Sequence, residues 1–287
     1  MSHRRMIMLS LAPMLLVLVV LFGGGLAAGL LRSFNYMPVI GLTKPDLSAW
    51  RAVLASPGFL ASLALSLRIA VASTLISAAI ALAAAMLLRQ TFPGHRIVQF
   101  LVRLNLTVPH VVGAIGILYL IAQSGSLARL AHHTGLITRP AEFPILVNDP
   151  HGIGIILHYI WKEVPFVTLI LLAALHRLPP EYEALARSMG ATRWQTFTRV
   201  LLPLLAPALL AASAIVFAFT FGAYEIPLLL GAHSPTALPV LAYRSYTATD
   251  LAARPEAMAM AIVTAVISAA LILVALRAAQ SALGRTR

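Results

Sequence analysis

Cysteine is absent from the 287 residues, charged side chains make up only 10%, and lysine occurs twice, as Lys44 and Lys162. Without cysteine there is no disulfide, no thiolate metal ligand and no cysteine nucleophile. Soluble domains carry roughly a quarter charged residues. Here 60% of residues are hydrophobic and the mean hydropathy is +0.90. A water-soluble fold could not bury that much apolar surface, so lipid is the expected solvent. The phosphate-cradling pattern G-x-x-x-x-G-K-[ST] is missing, so the chain is not expected to hydrolyse ATP itself. H-E-x-x-H, G-x-S-x-G and an intramembrane aspartate pair are missing too, which argues against an intramembrane enzyme, and no catalytic residue is assigned.

What is present is a net charge of +12, with basic residues scattered between apolar blocks. No aromatic–basic interleaving accompanies them, so the charge is topological and nucleic acid is not an expected partner. A helix needs about 20 apolar residues to cross the hydrocarbon core. Six blocks qualify: 6–31, 59–88, 97–122, 153–175, 204–231 and 257–279. The basic start and the long run from Met6 predict an uncleaved first helix rather than a signal peptide. The fourth block is interrupted by Trp161-Lys162-Glu163 and Pro165. Pro109 interrupts the third, and Pro207 and Pro227 the fifth. Such breaks tend to line cavities in transporters.

Lysine and arginine placement predicts the orientation. With the N-terminus inside, the inner segments hold Arg4, Arg5, Arg89, Arg96, Arg177, Arg187, Arg193, Arg199, Arg277, Arg285 and Arg287. The outer segments hold Arg32, Lys44, Arg51, Arg129, Arg139, Arg244 and Arg254. Eleven against seven places both termini in the cytoplasm. The outer connections 33–58 and 123–151 are long enough for short surface helices. The organisation expected is a first span and outer loop (1–58), a five-span core (59–279) with an inner connection at 176–203, and a tail (280–287).

That inner connection predicts two short helices with a hinge. Pro179 and Pro180 suit a helix start, where the missing N–H has no role. Glu181 and Glu183 fall in the first turn and Arg187 near the last, matching the helix dipole. Tyr182, Leu185 and Ala186 share one face. Gly190 fits a left-handed C-terminal cap, and Thr192 can cap a second helix carrying Trp194, Phe197 and Val200 before Pro203 opens the next span.

This segment resembles the permease subunits of binding-protein-dependent ABC importers. Their pattern is Glu-Ala-Ala, three residues, Gly, nine residues, then Ile-x-Leu-Pro. Gly190 followed after nine residues by Val200-Leu201-Leu202-Pro203 keeps that spacing. The Glu-Ala-Ala position falls on Ala184-Leu185-Ala186, so Glu183 stands one residue early. Trp161-Lys-Glu-Val-Pro165, Phe221-Gly-Ala-Tyr-Glu-Ile-Pro227 and Leu238-Pro-Val-Leu-Ala-Tyr243 look like the polyamine, phosphonate, sulfate and ferric-iron branch. The resemblance implies an all-α, type I ABC importer permease fold in the bacterial inner membrane. It implies that the chain forms half of a pathway for a small solute, such as a polyamine or phosphonate. The implied partners are two ATP-binding subunits holding ATP and magnesium, a second and different permease chain, a periplasmic solute-binding protein and membrane lipid. It implies that Glu181, Glu183, Ala184, Ala186, Arg187, Gly190, Ala191, Trp194 and Pro203 carry the ATPase coupling. An ATP-independent transporter or channel is the alternative.

Arg68, Lys162, Glu163, Tyr224 and Glu225 are the pathway candidates. A charge at a helix centre costs roughly 2.5–3.5 kcal/mol on insertion scales, so each should face the bundle or a cavity. Lys162 and Glu163 are adjacent and point about 100° apart on a helix, so each needs its own partner. Glu225 lies beside Pro227 in an expected break. Arg103 sits near a helix end and can snorkel. His132, His133, His151 and His158 lack a nearby carboxylate pair, so no metal site is assigned. Gly25-x-x-x-Gly29 has the spacing of a helix-packing motif.

Overall fold

The computed structural model describes residues 3–284, so expectations resting on Met1, Ser2, Arg285 and Arg287 lie outside the described residues. Helices dominate, and no strand occurs among the described residues. In chain order they are α1 (His3–Val17), α2 (Gly24–Ser33), α3 (Ser48–Ala55), α4 (Pro57–Leu88), α5 (His95–Thr107), α6 (His110–Ile121) and α7 (Ser126–His133). The remainder are α8 (Ile153–His176), α9 (Glu181–Ser188), α10 (Arg193–Thr196), α11 (Leu202–Gly222), α12 (Glu225–Leu230), α13 (Leu238–Tyr246) and α14 (Arg254–Gly284). Among the described residues, six stretches are long and apolar enough to cross a membrane: Ser10–Ser33, Pro57–Leu88, His110–His133, Ile153–His176, Arg193–Gly222 and Leu251–Ser281.

The chain divides into two compact units: Met1–Leu60 with Leu238–Ala265, and Ala61–Ala237 with Val266–Arg287. In the first, α1 and α2 join through a π-helical turn at Leu18–Gly23. The loop after α2 is clasped by Asp46, which accepts from Ser48 N and Oγ and from Asn35 Nδ2 at 2.6–2.8 Å. The Ser48 hydrogen bonds hold the Asp46 carboxyl below its ordinary range.

The second unit contains the better-packed spans. Ala81, Ala85 and Leu88 of α4 meet Val167, Leu171 and Leu175 of α8 and Leu205, Ala212 and Val216 of α11 in one apolar cluster. The alanines on α4 let the helices approach closely, as membrane packing favours. A second cluster gathers Ile69, Ala114, Ile155, Tyr159, Ile226 and Leu230.

Three expected boundaries are corrected. The third block is not one helix over 97–122. Pro109 lacks an N–H and forces Val108 into an extended conformation (φ −74°, ψ 122°), which separates α5 from α6. The third crossing stretch begins at His110 instead and runs to His133 through a turn at 122–125. The fifth block stops at Gly222, and Ala223 turns extended before α12. That block also starts earlier, at Arg193, because α10 runs through a π-helical turn (Phe197–Leu201) straight into α11. Pro203 cannot donate, and a widened ladder just before it accommodates the loss. In contrast, α8 passes through Pro165 without a break.

Candidate functional site

Two places in the second unit concentrate functional chemistry. The first is the connection from α8 to α11. Pro180 caps α9, and Glu181 and Glu183 occupy its first turn. Gly190 sits at φ +81°, where a β-branched residue would be strained. Its N–H donates to Arg187 O and that of Ala191 to Ala186 O, both at 3.0 Å, closing a Schellman motif. Thr192 and Gln195 then form a reciprocal capping box: Gln195 N donates to Thr192 Oγ1 at 3.2 Å and Thr192 N to Gln195 Oε1 at 2.8 Å.

Glu183 does not point away from the chain. Its carboxylate accepts from Arg89 at 2.8 Å and from Arg187 at 3.3 Å, which ties α9 to the end of α4. The Arg89 hydrogen bond holds the Glu183 carboxyl below its ordinary range. With α9 fixed this way, its apolar face is left outside. Leu185 is 61%, Met189 80% and Trp194 71% exposed. Glu181, Ala184 and Pro203 are exposed as well, whereas Ala186 and Ala191 are half-buried.

The second place is the break between α5 and α6, packed on α8. Pro165 cannot donate to Trp161 O four residues earlier, and Asn105 Nδ2 takes up that carbonyl at 3.2 Å. In return, Lys162 Nζ donates to Asn105 O at 2.7 Å and Val108 O at 2.5 Å, carbonyls at the C-terminal end of α5. The ammonium thereby meets the negative end of the helix dipole. Lys162 and Glu163 form no ion pair with each other among the described residues. Next to this lock lies a cavity of about 240 Å³ lined by Leu106, His110, Lys162, Glu163, Phe166, Ile215, Val216 and Phe219. His158 and Tyr159 are fully buried close by, and neither His158 ring nitrogen nor the Tyr159 hydroxyl has a hydrogen-bond partner among the described residues.

The other pathway candidates lie elsewhere. Arg68 bonds His151 Nδ1 at 3.0 Å, and the His151 backbone N–H donates to Asp149 Oδ2 in the turn before α8. Glu225 is exposed in the first turn of α12, where a carboxylate suits the dipole, and Tyr224 caps that helix. Neither lines the cavity. Sequence reasoning missed His110 and Phe219 as cavity residues and Arg89 as the partner of Glu183. Among the described residues no group of three or more His, Asp or Glu could hold a metal ion.

Residues 76–285 match the family described as "Binding-protein-dependent transport system inner membrane component". The chain belongs to that family. It is 29% identical over 187 residues to the Escherichia coli sulfate transport system permease protein CysT, spanning 65% of this chain and 64% of that relative. It is 28% identical over 218 residues to the Mycobacterium tuberculosis trehalose transport system permease protein SugA, covering 74% of this chain and 68% of that one. A bacterial ABC transporter involved in the import of alginate has the same fold. Its TM-score is 0.78 at 20% identity, over 95% of this chain and 94% of the other. The fold is therefore that of an ABC transporter membrane subunit, as the inner connection led one to expect, and this transport component is a multi-pass inner-membrane protein.

Proposed function

We propose that this chain is the membrane subunit of an ATP-driven importer, forming half of a translocation pathway for a small solute. Hydrolysis of ATP, with magnesium, occurs on two partner ATP-binding subunits. A second permease, a different chain, completes the pathway, and a periplasmic binding protein delivers the solute. Residues 59–279 form the transport core, with 1–58 and 280–287 as flanking segments. Both termini and the 176–203 connection face the cytoplasm.

The observation that carries this reading is the exposure of Leu185 on α9, Met189 at its end and Trp194 on α10, around a turn at Gly190 and beside the Glu183–Arg89 pair. An apolar helical face beside a rigid turn suits insertion into a groove on a partner. Closure of the ATP-binding pair would draw two such helices together and switch the access of the pathway. Pathway roles are assigned to Lys162, Glu163, Glu225, Tyr224 and Arg68, of which Lys162 and Glu163 line the cavity beside the α5–α6 break.

Purification of the chain in mild detergent with its partners tests the proposal. An ATP-hydrolysing subunit should copurify, and uptake in vesicles should require ATP inside. Solute flux through the chain alone, without ATP, would contradict it and support the ATP-independent reading. A cysteine placed at Arg193 should react with an impermeant thiol reagent only from the cytoplasmic side. Labelling from outside would invert the proposed orientation.

A further inference from the structure

The cavity beside the α5–α6 break has an unbalanced wall. Glu163 is 6% exposed and lines it, yet no hydrogen bond or ion pair within 4 Å engages its carboxylate among the described residues. An acid held in a membrane span needs a partner or a proton. Lys162, the one Lys or Arg lining this cavity among the described residues, has its ammonium committed to the carbonyls of Asn105 and Val108. An anionic solute would have to pull that ammonium off the end of α5. A cationic solute would leave the lock intact and supply the direct partner that the Glu163 carboxylate lacks.

The remaining wall fits the same ligand. Phe166 and Phe219 line the cavity, and aromatic faces attract a cation within about 6 Å of the ring centroid. The His110 ring lies 4.9 Å from that of Phe219 and completes this side of the wall. The volume of about 240 Å³ falls below the roughly 300 Å³ at which pockets for drug-sized ligands begin, which limits the occupant to a few heavy atoms.

We propose that the cavity bounded by Glu163, His110, Phe166 and Phe219 is a binding site for a small organic ammonium ion. This rests on the importer reading and names its solute class. It departs from the anion in the name of the sulfate relative, because among the described residues the one Lys or Arg on the wall already donates to the end of α5.

A hydrophobic carbodiimide, which modifies carboxyl groups in apolar surroundings, provides the test. The assembled complex in lipid nanodiscs is treated and the modified residue located by mass spectrometry, with Glu163→Gln as the negative control. Glu163 should be labelled. Methylammonium, choline or 1,4-diaminobutane should slow the labelling, by about tenfold when the amine is in roughly tenfold excess over its Kd. Sulfate, trehalose and sodium chloride at matched ionic strength should leave the rate unchanged. Absence of labelling at Glu163, no protection by any of the three amines, or protection by sulfate overturns the proposal. No ATP is needed, so the two readings fail separately. ATP-coupled uptake without amine protection removes this site alone, and amine protection in a chain that captures no ATPase removes the importer reading alone.

Discussion

The helix end at Gly190 and the helix end at Val108 both leave carbonyls without an intrahelical donor. At Gly190 the donors come from the next residues, the N–H groups of Gly190 and Ala191. The segment then needs no other part of the protein to hold its shape, and its apolar face stays free. At Val108 the local N–H serves Asn105 O, but the carbonyl of Val108 takes its donor from Lys162, 54 residues away, and the reciprocal bond from Asn105 fills the gap that Pro165 leaves in α8. That end exists only when two spans are packed together. A locally closed turn can be offered to a partner without cost to the fold, whereas a break closed from a distance couples the neighbouring spans.

Substitutions at the two ends should therefore behave differently. The largest effect is expected for Lys162→Met, which leaves the part-buried Val108 carbonyl without its donor and Asn105 O with the Val108 N–H alone. The loss is about 3 kcal/mol of resistance to unfolding in detergent, with reduced assembly. A variant that unfolds like the parent would show that the break does not depend on this lock. Gly190→Val comes next. It should strain the turn by about 2 kcal/mol, uncouple ATP hydrolysis from uptake, and leave membrane insertion intact.

Asn105→Ala should cost about 1 kcal/mol in the parent chain. In a Pro165→Ala background α8 regains its own donor for Trp161 O, and the cost should fall toward zero. A cost that is the same in both backgrounds breaks the reciprocal reading. The smallest effect on stability is expected for Arg89→Ala, under about 1 kcal/mol because the pair is partly exposed. Its pH dependence follows from the lowered Glu183 pKa. The bridge contributes fully above the ordinary glutamate value of 4.5 and is lost as pH falls through the lower value of the folded chain. A spin label on Ser188→Cys should become more mobile over that range, and Glu183→Gln should show the mobile spectrum at every pH.

The same contrast decides what could be read in advance. The caps at Pro180, Gly190 and Thr192 were legible because each depends on residues within a few positions. The crossing stretches were legible because lipid selects for length and apolarity alone, and a break beside Glu225 was expected from Pro227. Glu183 was harder. Its displacement from the family pattern left its role open, and only the approach of Arg89, 94 positions earlier, shows that it fastens α9. The division of the third block was signalled by Pro109, but nothing local revealed that Lys162 would close it. His110 and Phe219 carry no motif and join one cavity only through packing.

The cysteine-free sequence allows the coupling claim to be measured directly. Leu185→Cys introduces a single thiol on the exposed face of α9. Its rate of reaction with a small thiol reagent is compared in the purified chain alone and in complex with the ATP-hydrolysing subunit. Labelling should be fast in the free chain and slowed by at least about tenfold in the complex, as expected for a thiol buried at an interface core. Equal rates in the two, in a complex that still hydrolyses ATP and drives uptake, would contradict the assignment of α9 as the element that carries ATP-driven motion into the membrane.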